Sequence, residues 1–391
     1  MSPNRVEASP NPDILRWGRL SAGLDLEIAA KKVLVKPERL EAWESGELRP
    51  TIGQLRKLSH AYRRSIAVFY LSEPPDWIDL PPDYRRLPGE VAGTESPDLR
   101  LELRKAMVRR DVAVELSEEG YPASLGIEIA LDEDPELAGA KIRDWLDVSL
   151  EEQVSWRGPY DSFNGWRFAL ETVGTLVFQM TEVELSEARG FSIDVSPLPV
   201  IAVNIKDSPR GRVFSLLHEC AHLALRRGGL CDMDDSTSRD EDLLRVEQFC
   251  NAVAGASLVP REEILNDEVV RSHDMSEQSW SSEETYEIAR RFGVSEEVVI
   301  RRLLDLGLTS RSYYLARRQD LSRAYAEFRQ QQSGGFAPPA NMAFASNGPL
   351  FTGLVLSSYS DGTITGSDVS DYLGVRLKHL PKIRSLVLGS S

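Results

Sequence analysis

Apolar positions recur at helical spacing along most of the chain, and the period changes in one stretch near its middle. Ile14 to Leu20 carries a first apolar stripe, and Asp25 is placed to cap a helix running to Val33. Pro37 opens the next helix, to Glu44, because the first turn needs no N–H donor there. Ile52, Leu55, Leu58 and Tyr62 line a fourth. A charged amphipathic helix follows from Leu99 to about Glu119, then Ala138 to Trp145 and Leu150 to Trp156. Here the pattern shortens: Thr175–Met180, Phe191–Ile193 and Pro199–Asn204 are brief β-rich runs parted by Gly and Pro, with a polar turn from Asp207 to Gly211. Helical spacing resumes from Arg212 to Leu225 and from about Asp240 to Ser257. Glu283–Phe292, Gly293 and Glu296–Leu306, capped by Ser295, repeat a helix, turn, helix rhythm. The pattern predicts an α+β protein: an all-helical N-terminal module, a small sheet followed by long helices, and helical C-terminal units.

Boundaries follow from composition. Residues 1–12 read as a disordered tail, 13–72 as the first helical module and 73–98 as a Pro-rich linker. Residues 99–275 hold the sheet and its helices, and 276–330 form a helical subdomain. A Gln-, Gly- and Pro-containing linker over 331–348 leads to a small helical unit, 349–391, with no nameable chemistry. Of 391 residues 41% are hydrophobic, and no apolar run approaches the roughly 18 needed to cross a bilayer. Ser2 to Pro12 lacks the apolar core of a secretory signal. Cys220, Cys231 and Cys250 give no disulfide framework. A cytoplasmic protein with no membrane partner is expected.

Charge is unevenly spread. The net charge is −15, yet Ile14 to Arg64 holds 11 basic and 6 acidic residues, so a small basic module is joined to an acidic body.

The chemistry concentrates in His218-Glu219-Cys220-Ala221-His222. Two histidines four apart on a helix share a face and present both imidazoles to one metal ion. Glu219 projects beside them, placed to take a proton from a metal-bound water rather than to ligate. A catalytic zinc site needs a third protein ligand, expected on a downstream helix, where Glu247 stands. Cys220 points away from the face shared by the histidines, and Cys250 stands three residues past Glu247. Both read as small buried packing residues, with oxidation of Cys250 disturbing Glu247 as the sharper alternative. Asp232 to Asp235, Glu241 and Asp242 read as a solvated acidic loop, or as one that steers a basic substrate.

His218 to His222, then Glu247, Asn251, Ala254 and Leu258-Val259-Pro260, resemble the ImmA/IrrE family of zinc peptidases. Arg189-Gly190-Phe191-Ser192, Leu198-Pro199-Val200-Ile201, Asn204 and Phe214 to His218 agree with it, and the likeness is close from Ala140 to Pro260. The resemblance implies a zincin-like fold with His218, His222 and Glu247 as metal ligands, the last gluzincin-like, and Glu219 as the catalytic base. Zinc is the implied metal, with Mn2+ left open. The implied reaction is peptide hydrolysis, with substrate added as a strand beside Phe191–Ile193 or Pro199–Asn204. The implied partner is a protein substrate, a transcriptional repressor.

Leu26 to Leu55, with Ala29-Ala30, Leu40 to Gly46, Pro50-Thr51 and Gln54-Leu55, resembles XRE-type helix-turn-helix domains, which often precede such peptidases. The resemblance sends the helix from Pro37 to Glu44 into the major groove, with Lys31, Lys32, Lys36, Arg39 and Arg49 as DNA contacts. Departures weaken this: Glu38 and Glu41 are exposed acids on that helix, Leu26 replaces a phosphate-contacting Gln, and Leu34 replaces a turn Gly. The module therefore docks either DNA or protein. Three readings follow: a regulatory peptidase, a DNA-binding regulator with a peptidase-like sensor body, and a toxin and antitoxin component. Oligomeric state is left open.

Overall fold

The computed structural model describes residues 7–74, 96–117, 120–121, 124–158, 160–225, 238–274, 276–331 and 337–389. Most of the expected Pro-rich linker, Cys231 and the acidic run Asp232–Asp235 lie outside them, as do the side chains of Glu241 and Asp242. The described residues fall into two compact units, one ending at Met107 and one beginning at Val108.

The first unit contains α1 (Pro12–Ser21), α2 (Leu26–Val33), α3 (Pro37–Glu44), α4 (Ile52–Ala61) and the start of α5 (Pro97–Leu116). Each start has a local cause. The Asp25 carboxylate accepts from the Ile28 N–H at 2.6 Å, and Thr51 and Gln54 form a reciprocal capping box on α4. Such a cap contributes about 1 kcal/mol. Ile14, Leu15, Ala29, Val33, Leu40, Trp43, Leu55 and Leu58 close one core. Arg19 grips Glu44 with two bonds of 2.8 and 2.9 Å, fastening α1 to α3. Residues 7–12 are not a loose tail: Ala8 is buried and donates to the Pro50 carbonyl at 2.8 Å, and Asn11 caps α1.

The second unit is built round a three-stranded sheet. After α6 (Pro135–Leu146), α7 (Leu150–Ser155) and α8 (Asp161–Thr172) come β1 (Leu176–Met180), β2 (Gly190–Ile193) and β3 (Val200–Asn204). The strand order is β1-β3-β2, with β1 parallel and β2 antiparallel to β3. β1 and β3 are buried at every position, as expected of strands covered on both faces. The sequence reading assigns no helix between Trp156 and Thr175, yet α8 is there. Phe163, Trp166 and Leu170 bury one face of it, while Asn164 and Gly165 interrupt the apolar rhythm.

The longer helices that follow are α9 (Pro209–Ala224) and α10 (Ser238–Leu258). Arg212 orients the first turn of α9, donating to Gln179 Oε1 on β1 at 2.8 Å and to the Asp207 carbonyl at 3.0 Å. Buried polar side chains receive the terminal carbonyls of α10: Arg143 donates to Ser257 at 2.8 Å, and Gln153 to Leu258 at 2.8 Å. Then follow α11 (Arg261–Asn266), α12 (Glu268–Ser272), α13 (Ser282–Phe292), α14 (Glu296–Asp305) and α15 (Arg311–Gln331). Ile288, Phe292, Val298 and Leu303 join the same core as α9 and α10, so this pair of helices covers the sheet domain.

The chain ends in α16 (Pro339–Asn347), α17 (Pro349–Ser360), α18 (Gly366–Leu373) and α19 (Leu380–Leu388). α16 corrects the expected linker over 331–348. Pro339 occupies its first turn, which tolerates proline, and the helix is held to β1 where Gln179 donates to the Ala345 carbonyl at 3.1 Å. No helix among the described residues is long and apolar enough to cross a membrane.

Candidate metal centre

One turn of α9 brings His218 and His222 onto a common face, and α10 packs against it with Glu247. The two Nε2 atoms are 3.0 Å apart; Glu247 places Oε2 at 3.2 Å from His218 and Oε1 at 3.1 Å from His222. Three donors at about 2.0–2.1 Å from one tetrahedral ion stand roughly 3.3 Å apart, so two imidazoles and a carboxylate are nearly at ligand spacing. Among the described residues, these three form the group suited to hold a metal ion. His222 is the deepest, with 2% of its side chain exposed; His218 and Glu247 keep 15% and 17%.

The charges are consistent with a cation site. Burial would lower the His218 pKa, but the Glu247 hydrogen bond and the charges of Glu219 and Glu247 outweigh it and hold it above the ordinary imidazole value. Burial would raise Glu247; its hydrogen bonds to His218 and His222 win and hold it far below the carboxylate range. Glu219 is buried on α9 next to Gly190 at the start of β2.

Residues 171–304 match the model of the IrrE N-terminal-like domain, a peptidase family, and residues 15–69 match a helix-turn-helix domain model. The chain carries an IrrE N-terminal-like domain. Neither the search of curated proteins nor that of solved structures returns a match.

Within the IrrE N-terminal-like domain, the cysteines part company. Cys220 is fully buried in the core, and burial pushes its thiol up to about 12, so it packs as a neutral side chain. Cys250 is buried too, and its sulfur stands 3.2 Å from His222 Nδ1. Sequence reasoning also missed Arg301 on α14. Phe214 stacks on His218 with centroids 6.2 Å apart, and the Arg301 guanidinium lies 6.0 Å from the Phe214 ring. Arg301 donates to Tyr314 Oη at 3.3 Å, and its charge opposes protonation of His218.

The two strands expected to receive substrate take different places in the sheet. Pro199–Asn204 contains β3, which is flanked by β1 and β2 and has no open edge. β2 has one strand partner among the described residues. Asn204 donates to the Arg189 carbonyl at 2.8 Å, so alternation along this antiparallel pair turns the backbone groups of Gly190 and Ser192 away from β3.

In the helix-turn-helix domain, Lys31, Lys32, Lys36, Arg39 and Arg49 are all exposed, as are Glu38 and Glu41. Leu34 adopts φ +63° at the turn where the XRE pattern has Gly, and is 79% exposed.

Proposed function

We propose that this protein is a zinc-dependent regulatory endopeptidase that cleaves a partner protein, a transcriptional repressor, and docks on DNA through its helix-turn-helix domain. The observation that carries this reading is the convergence of His218, His222 and Glu247 at ligand spacing, with Glu219 on the same helix turn.

His218 and His222 Nε2 and the Glu247 carboxylate would hold the metal. A zinc ion in such a cradle supplies an acidified water and polarises the scissile carbonyl. Glu219 accepts the proton from the attacking water and passes it to the leaving amine. Its burial beside β2 keeps the carboxylate next to the strand edge where substrate adds. The outward backbone groups of Gly190 and Ser192 hold that substrate as an extended strand. Arg301, held by Tyr314 and felt electrostatically by His218, would meet negative charge developing on the carbonyl oxygen. Cleavage coupled to a helix-turn-helix domain suits a protease that acts where repressors sit.

The test pairs elemental analysis with cleavage of candidate repressors. His222→Ala is expected to lose metal; Glu219→Gln is expected to keep metal and lose cleavage. Full cleavage by Glu219→Gln sinks the mechanism.

A further inference from the structure

We propose that Cys250 is a positioning residue for His222, a thiol brace that fixes which ring nitrogen faces the metal. The proposal rests on the metal-binding reading above and concerns a residue outside the ligand set. Cys250 Sγ is 3.2 Å from His222 Nδ1, while Nε2 of the same ring faces His218 and Glu247. Cys250 is fully buried and His222 nearly so.

An imidazole that offers the Nε2 lone pair to a metal carries its proton on Nδ1, and that N–H needs an acceptor. The sulfur stands where that acceptor is required. Glu247 and Cys250 are three residues apart on α10, hence on one face, so a single helix supplies both the third ligand and the support for the second. His218 differs: its buried Nδ1 has no hydrogen-bond partner among the described residues. The brace therefore acts on one histidine alone. Sulfur is a weak acceptor, so Cys250 orients the ring with a soft contact rather than a strong hydrogen bond. Because Sγ meets the nitrogen on the ring edge turned away from the cradle, its role is support of a ligand and not ligation.

The experiment measures zinc affinity of the full chain by competition with a chromophoric chelator, in wild type, Cys250→Val, Cys250→Ala and Cys250→Ser. Valine and alanine bracket cysteine in volume and both remove the acceptor; serine keeps an acceptor. The expected loss is about 10- to 100-fold for Val and Ala, with Ser recovering most of it. The Co2+ form of the wild type is expected to show no thiolate-to-metal charge-transfer band. Wild-type affinity in the Val variant overturns the proposal, as does an equal loss in Val and Ser with unchanged circular dichroism, which marks a packing effect. A charge-transfer band that disappears in Cys250→Val overturns it too, by making sulfur a ligand. A wild type that binds no zinc removes the metal reading itself, whereas a wild type and a Val variant that bind equally remove only the role of Cys250.

Discussion

Gly190 and Glu219 stand so close that a Cβ at position 190 would lie 3.1 Å from Glu219 Oε1 and 3.2 Å from its Cγ. The third neighbour, the Ala202 carbonyl at 3.1 Å, belongs to the central strand and has no room to retreat. Gly190→Ala therefore has to move the Glu219 carboxylate. Displacement of a catalytic base by a few tenths of an ångström to an ångström costs up to about 100-fold in rate. The expected outcome is a fall in kcat of that order with metal content unchanged, read by single-turnover cleavage and elemental analysis. Loss of metal together with activity would place the damage in the cradle instead.

Metal binding should weaken in acid. In the metal-free site the His218 pKa lies above its ordinary value of about 6.5, because the pull of Glu247 and Glu219 exceeds the effect of burial. A raised pKa means that the proton persists to higher pH, and a metal must displace it from the same nitrogen. Glu247, held low, stays ionised and does not contribute in this range. Apparent affinity is expected to drop about tenfold per pH unit for each proton the metal must displace, and His218 contributes one such proton once pH falls below its raised pKa. Chelator competition from pH 8 to pH 5.5 measures it; a flat profile would contradict a proton shared with Glu247.

The parts legible in the sequence are those whose cause is local. His218 and His222 show their common face through spacing alone, and the three strands appear as short apolar runs because β1 and β3 are buried on both sides. Glu247 needed the family resemblance, since its meeting with His218 depends on how α10 packs on α9. The contact between Cys250 and His222 is tertiary in the same way, and only its i, i+3 relation to Glu247 hinted at it. α8 was hidden because Asn164 and Gly165 break its apolar rhythm and because two of its buried positions are charged, Arg167 and Glu171, which satisfy each other inside. α16 was hidden by its prolines, which open a helix as readily as they mark a linker. The candidacy of Pro199–Asn204 for substrate fell because strand order is not written in a strand's own residues.

The helix-turn-helix domain is expected to bind duplex DNA through phosphates more than through bases. Its exposed Lys31, Lys32, Lys36 and Arg39 offer charge, while Glu38 and Glu41 on α3 oppose close approach to the groove. Affinity measured by fluorescence anisotropy should fall steeply with salt, and a Lys31→Ala, Lys32→Ala double variant should reduce the slope by about two. Absence of any salt-dependent binding would favour protein docking for this domain.

Arg167 is expected to govern how the C-terminal helices stay attached. It pairs with Glu171 at 3.3 Å and donates to the carbonyls of Val177 at 2.6 Å and Ala345 at 3.2 Å, while Glu171 accepts from the Leu350 N–H at 2.9 Å. One buried ion pair thus joins α8, β1 and the ends of α16 and α17. Gly348, at φ +83°, threads past it where a Cβ would lie 2.6 Å from Arg167 Nη2 and 2.7 Å from Glu171 Oε1. Burial dominates the pair: it pushes the Glu171 carboxyl up to about 7 despite the guanidinium beside it. A carboxyl whose folded pKa is raised stabilises the fold most below its unfolded value of about 4.3, and that contribution is lost as pH rises through about 7. Arg167→Ala removes the counter-charge and should cost about 3–5 kcal/mol near neutral pH. Its deficit should be larger at pH 8 than at pH 5, where Glu171 takes up a proton and no longer needs a partner. Urea unfolding at the two pH values measures both effects, and limited proteolysis should release α16 to α19 first. A pH-independent deficit would mean that Arg167 acts through its packing and carbonyl contacts, with Glu171 already neutral in the wild type.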